Sequence, residues 1–158
     1  MTRDIVPPLI DAILRKDDAL FRRFLLDQAQ IAAVDRDGRT ALHHAVIDAA
    51  PAVTTALLGQ GADPSRADVN GWTPLHYAAS SYRSDVVELL LQAGAAVDAR
   101  DRHGNTPLWK AVFASRGRGE VIERLLRAGA DRTLANQHGV SPYSLAQTIA
   151  NYDVRQFL

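Results

Sequence analysis

Histidine is the side chain best placed to do chemistry near neutral pH, and the chain carries five of them and no cysteine. His43 and His44 are neighbours, and neighbours on a helix point about 100° apart, so they do not face one ion as a pair spaced three or four apart would. His103 and His138 stand alone before Gly104 and Gly139, without a metal-type spacing beside them, and read as contact residues. The absence of cysteine removes disulfides, thiol nucleophiles and thiolate metal sites together, and it fits a reducing compartment. No Gly-x-Ser-x-Gly, no phosphate-cradling glycine loop before a helix and no His-Glu-x-x-His helix occurs, and Arg116-Gly-Arg-Gly119 lacks the Lys and Ser/Thr of a nucleotide loop. Asp17 and Asp18 sit on a polar turn, where adjacent carboxylates are solvated. The expectation is a non-enzyme with no cofactor and no metal.

The elements that must position any site have to be found in 158 residues, enough for one domain. With 47% apolar and 23% charged residues the composition is that of a folded globular chain. Eighteen basic residues balance eighteen acidic ones, so no net field gathers nucleic acid or coats an anionic membrane. Sixteen of the basic residues are Arg and alanine is abundant, a bias associated with GC-rich, bacterial-type coding. Met1 to Ile10 contains Arg3, Asp4 and two prolines, without an apolar run of signal-peptide length, and no stretch is long enough to span a membrane. A cytoplasmic location is expected.

Sliding the chain against itself aligns Asp35-Arg-Asp-Gly-Arg-Thr-Ala-Leu-His43, Asp68-Val-Asn-Gly-Trp-Thr-Pro-Leu-His76 and Asp101-Arg-His-Gly-Asn-Thr-Pro-Leu-Trp109, at a period of 33. A fourth copy, from Asn136 to Tyr143, follows after 35, and the first three run on into Leu-Leu-x-x-Gly-Ala ending at Ala62, Ala95 and Ala130. Thr40, Thr73, Thr106 and Ser141 suit helix N-caps, and Pro74, Pro107 and Pro142 suit the first helical position, where no N–H is needed. Gly61, Gly94 and Gly129 follow the Leu-Leu pairs, where a left-handed C-cap favours a residue without Cβ. Asp-x-x-Gly supplies hairpin tips. Leu75, Ala78, Val86, Leu89, Leu90 and their counterparts cannot be buried inside one helix pair, so the copies must stack.

A 33-residue period carrying Thr-Pro-Leu-His-x-Ala resembles the ankyrin repeat. The resemblance runs from residue 35 to about 150. It extends over a degenerate opening copy, since Leu9 precedes Leu42 by 33 and Phe24-Leu25 precedes Leu57-Leu58 by 33. It implies an all-α solenoid of about five helix pairs with hairpin loops: one domain over 1–158, with a capping repeat at 1–34, full repeats at 35–67, 68–100 and 101–135, and a capping repeat at 136–158. It also implies that His43 and His76 hydrogen-bond the turn and brace adjacent repeats, a brace that Trp109 cannot supply.

Three places depart from the pattern. The third copy has thirteen steps from Leu108 to Val121 where earlier copies have eleven, through Ser115-Arg-Gly-Arg-Gly119, either a flexible contact finger or a tolerated loop. The last copy stops at Leu158 with a short second helix, and the first has a solvated Arg15-Lys16-Asp17-Asp18 turn; both read as caps.

The resemblance further implies a protein partner on the concave face formed by tips and first helices. Mapped onto this chain, the contact positions are Arg39, His44, Trp72, Tyr77, Arg102, His103, Lys110 and Phe113, with Trp72, Tyr77 and Phe113 as anchors and Arg102 and Lys110 setting polarity. Trp72 has a second reading, packing on the neighbouring tip. Ile47, Val69 and Phe113 are apolar at positions expected to face solvent. The expected role is a monomeric protein-binding module of scaffold, inhibitor or immunity type, binding neither nucleic acid nor membrane. The alternatives are self-association or, through His43 and His44, small-ligand or metal binding.

Overall fold

In the computed structural model, which describes residues 6–48, 50–149 and 153–158, the first helix of every repeat after the opening one begins with a threonine or serine cap. Thr40, Thr73, Thr106 and Ser141 are in extended conformation before α4 (Ala41–Ile47), α6 (Pro74–Ser80), α8 (Pro107–Ala114) and α10 (Pro142–Thr148), and in the last three a proline follows the cap directly. Each of α4, α6 and α8 is answered by an antiparallel outer helix: α5 (Pro51–Gly59), α7 (Ser84–Gln92) and α9 (Glu120–Arg127). Ahead of them lie α1 (Pro8–Arg15), α2 (Asp18–Phe24) and a short α3 (Gln28–Ala32) that the repeat pattern did not predict; behind α10 the chain ends on a 3-10 turn, Arg155–Phe157. Arg3 and Asp4 lie outside the described residues, as do 150–152 of the last copy.

The stack has two layers. α1, α4, α6, α8 and α10 pack side by side in an inner row, and α5, α7 and α9 form an outer row against it. The 33-residue period puts Leu9, Leu42, Leu75 and Leu108 at one level of the inner row and, with the two-residue insert allowed for, Leu57, Leu90 and Leu125 at one level of the outer row, all fully buried. Each such leucine contributes about 2 kcal/mol relative to an exposed one, and none finds that shelter within its own helix pair. The expectation for Leu89 is corrected: it is half-buried, and Val87 is the buried neighbour. Position 87 aligns with Thr54 and Ile122, both fully buried between outer helices, whereas position 89 aligns with Arg124 on the outer surface. The Thr54 hydroxyl, buried among them, donates to the Ala50 carbonyl at 3.0 Å.

Two kinds of glycine serve this stack. Gly94, at φ +83° behind α7, ends the helix in open space, so only its conformation demands glycine. Gly71, at φ +77° in a tip, also lies against the next repeat, where an added Cβ would sit 2.9 Å from the Arg102 nitrogen. That closeness lets the tips bond to one another: the Val69 N–H donates to Asp37, Arg102 to Asn70 and Gln137 to His103, at 3.0, 2.8 and 3.0 Å.

The insert at 115–119 is a packed loop, and its reading as a flexible finger is corrected. Ser115 and Gly119 are buried, Arg118 N–H donates back to Ser115, and the Tyr82 hydroxyl donates to the Arg118 carbonyl. A Cβ on Gly119 would stand 2.3 Å from the Phe157 ring, so the loop seats the C-terminal segment and needs glycine for space, its φ of −102° being open to any residue.

Candidate functional site

The tip aspartates organise the concave face. In each tip one carboxylate oxygen accepts two backbone N–H groups, two and four residues on: Asp37 and Arg39 for Asp35, Asn70 and Trp72 for Asp68, His103 and Asn105 for Asp101, all at 2.8 to 2.9 Å. The second oxygen is taken by the side chain nine residues ahead, one turn into the first helix. That side chain is His44 (Nε2–Oδ2 2.8 Å), then Tyr77 (2.7 Å), then Lys110 (2.8 Å). Three unlike residues hold one geometry, because imidazole, phenol and ammonium each bring a polar hydrogen to the same point. Burial alone would raise the Asp101 carboxyl, but the Lys110 ammonium and the bonds from Asn105 hold it below the usual range; Asp35 is held down against burial by Arg39 N–H and His44. Burial, then the bond to Asp68, pushes the Tyr77 hydroxyl up to about 12, so it remains a donor.

These bonds qualify four of the sequence-derived contact positions. His44 is 9% exposed and occupied with Asp35, leaving little of its ring at the surface. Lys110 is 12% exposed at its side chain and paired with a fully buried carboxylate. Tyr77 is half-buried, and Arg39 is shared between Asp37 at 3.4 Å, Asp68 at 3.7 Å and the Tyr77 oxygen at 3.2 Å.

What these residues do make is a continuous aromatic and cationic row across three repeats. The Arg39 guanidinium lies 5.7 Å from the Tyr77 ring centre, Tyr77 meets Trp72 at 4.9 Å, and Lys110 Nζ stands 4.3 Å over Trp72 and 5.4 Å from Trp109. Trp109 then stacks on Phe113 at 5.5 Å with planes 12° apart. Trp72 is half-buried and packs on His76 and Tyr77 of its own repeat's first helix. Arg102 and His103 are exposed at the neighbouring tip, and Phe113 is 67% exposed at the far end of the row. Ile47 and Val69 are exposed too, at 40% and 54%.

His43 and His76 perform the bracing role. Each ring Nδ1 accepts the backbone N–H of its own cap, Thr40 or Thr73, at 3.1 Å, which places the proton on Nε2. Nε2 then reaches across to the next repeat, to the Trp72 carbonyl at 3.2 Å and the Asn105 carbonyl at 3.0 Å. Burial lowers both rings, His76 to about 4, so both are neutral near pH 7. Trp109, in the same place one repeat later, makes no such bond, and among the described residues its buried Nε1 has no partner. The compensation is an amide bridge: Asn136 Nδ2 donates to Asn105 Oδ1 at 2.8 Å.

The clasp nine residues beyond each tip aspartate escaped sequence reasoning, although the signal was there. Asp35, Asp68 and Asp101 each have a donor nine ahead, whereas Asn136 has Leu145, and the acid becomes a neutral amide where the donor disappears. Among the described residues no three His, Asp or Glu side chains gather as a metal set.

A family model for ankyrin repeats, in three copies, matches residues 48–136. No curated protein matches the chain.

Proposed function

Since the chain belongs to the ankyrin repeat family, whose repeats generally act as protein-binding modules, we propose that it binds another protein on the concave face of its central repeats. The observation that carries this is the exposure of Phe113 at the end of a row otherwise tied down by internal bonds, together with exposed Val69 at the neighbouring tip. The supporting shell is rigid, since Tyr77 and Lys110 are anchored to Asp68 and Asp101, so little side-chain freedom is lost when a partner covers it. The contact set is Arg39, Trp72, Tyr77, Arg102, His103, Lys110 and Phe113, with His44 contributing by holding the Asp35 tip. No helix among the described residues is long and apolar enough to cross a membrane. The reading is of a monomer acting in the cytoplasm, whose reducing environment the absence of cysteine fits.

Co-purification from native lysate tests this, comparing the tagged wild type with Phe113→Ala and with Val69→Asp. Both positions lie outside the tip clasps, so both variants should fold, and truncating an anchor should weaken partner binding by about 1–4 kcal/mol. A partner retained equally by both variants moves the interface off this face. Exposed Val69 and Phe113 also suit a second copy of the chain, and the mass of the purified protein in dilute solution separates that reading: a dimer would favour it.

A further inference from the structure

The groove between α6 and α8 continues past the aromatic row, and both of its ends are cationic. Near the tips it opens into a hollow of about 510 Å³ lined by Trp72, Tyr77, Lys110, Arg102 and His103. One turn further along the same two helices, Ser80 and Ser81 on one side and Phe113 on the other border a second hollow of about 560 Å³, closed by Arg116 and Arg118. The carboxylates of this face are already engaged: Asp68 by Tyr77 and two backbone N–H groups, Asp101 by Lys110, Asn105 and two backbone N–H groups. Glu120, on the first turn of α9, is the acid nearest the loop in sequence.

The arginines, by contrast, have no carboxylate among the described residues. Arg102 spends one nitrogen on the Val69 carbonyl at 2.9 Å. Arg118 lies 4.0 Å over the Tyr82 ring and spends Nε on the Ser115 carbonyl, which leaves its two terminal nitrogens without a protein acceptor among the described residues. Arg116 is set by the packed loop at φ +50°. Arg102 and Arg118, held in place in this way, take carboxylates with little further ordering.

We propose that this groove takes an acidic, extended segment of the partner protein, with an apolar side chain against Phe113 and carboxylates at Arg102/His103 and at Arg116/Arg118. The inference rests on the concave-face reading above. Charge complementarity carries it, since a chain of net charge zero concentrates unpaired cations at the two ends of one groove. The span sets a minimum length: Arg102 and Arg116 lie beyond the two ends of α8, which alone covers roughly 12 Å. About four residues of extended chain cover that distance, and alternate residues share one face. The segment therefore carries acids at least four residues apart, with an apolar residue between them near the acid that meets Arg116 and Arg118.

The test is selection of a displayed random 12-residue peptide library on the wild type, repeated on Arg102→Glu/Arg116→Glu and on Phe113→Ala, with circular dichroism confirming that each variant is folded. The expected result is enrichment of peptides with two acids at least four residues apart and an apolar residue between them, whose synthetic versions lose roughly tenfold or more in affinity on the charge-reversed protein and again as salt rises. Peptides that depend on Phe113 but show no acidic preference overturn the proposed chemistry while leaving the concave face intact. Acidic peptides indifferent to Phe113→Ala place the binding elsewhere and count against both readings. Failure to enrich any peptide overturns the acidic-segment proposal, as does tighter binding of a labelled 12-nucleotide single strand than of the best peptide.

Discussion

The seams between repeats are built in two ways. Where α4 meets α6 and α6 meets α8, a buried neutral histidine spans the joint, and each tip aspartate is clasped by a donor nine residues ahead. Where α8 meets α10, a tryptophan stands in place of the histidine, an asparagine in place of the aspartate, and the joint is an amide bridge. Both seams satisfy the tip's backbone N–H groups, so the tip conformation is common to them. They differ in the second oxygen: a carboxylate needs a donor there, and where Leu145 offers none, a neutral amide avoids a buried charge without a partner.

The contrast can be broken most forcefully at the tip glycines. Gly71→Val sets a β-branched residue at φ +77° and drives its Cβ to 2.9 Å from the next tip, so a loss of 4 kcal/mol or more, about the largest a point change gives, is expected in denaturant titration. Gly139→Val meets the same φ strain at +74° with no atom within 4 Å, and about 1–2 kcal/mol is expected. Equal losses at the two glycines would show that tip contact adds nothing to strain.

Next in size is the clasp. Asp101→Ala removes the acceptor of two backbone N–H groups and strands Lys110, for an expected loss of about 3 kcal/mol, against about 1 kcal/mol for Asn136→Ala at the terminal seam. The histidine seam then responds to pH and the tryptophan seam does not. His76 has its folded value lowered to about 4 from 6.5, so the unfolded chain binds the proton more readily; stability is complete above about 6.5 and falls as pH drops toward 4. By pH 5 the loss from this one residue is about 2 kcal/mol, readable as a lower melting temperature, and it disappears in His76→Gln, whose stability at pH 7 is already reduced. The smallest effect is Phe113→Ala, at most about 0.5 kcal/mol in stability, because its ring is mostly in solvent. A larger loss would mean that its stack on Trp109 supports the fold.

Much of this was legible in the chain because caps, C-cap glycines and buried leucines depend on local conformation or on a period, and both are written consecutively. Thr73 before Pro74, or Leu75 at 33 from Leu42, can be read without knowing what lies beside them. The clasp could not be seen so directly, since His44, Tyr77 and Lys110 share no residue class and agree only in offering a hydrogen to an oxygen nine residues back. Phe157 against Gly119 joins positions far apart in the chain, with no repeat to announce the contact. Leu89 and Val87 trade places because helical periodicity alone does not say which side chain is covered by the neighbouring outer helices and which rises past them. At the candidate site the residue types were legible, but their engagement was not: His44 and Lys110 turn inward to carboxylates that the sequence presents only as turn formers.

The tip-to-tip bonds run in one direction, each later repeat donating a backbone N–H to the carbonyl of the one before. Because the rung is made by backbone and depends on the tip glycines more than on any variable side chain, the units are interchangeable in register. An in-frame duplication of 33 codons that begins and ends at equivalent tips would be read by the fold as one more rung, lengthening the concave face without a new design. Gene length and interface length are thereby coupled, and such a chain can acquire or shed binding area by recombination alone.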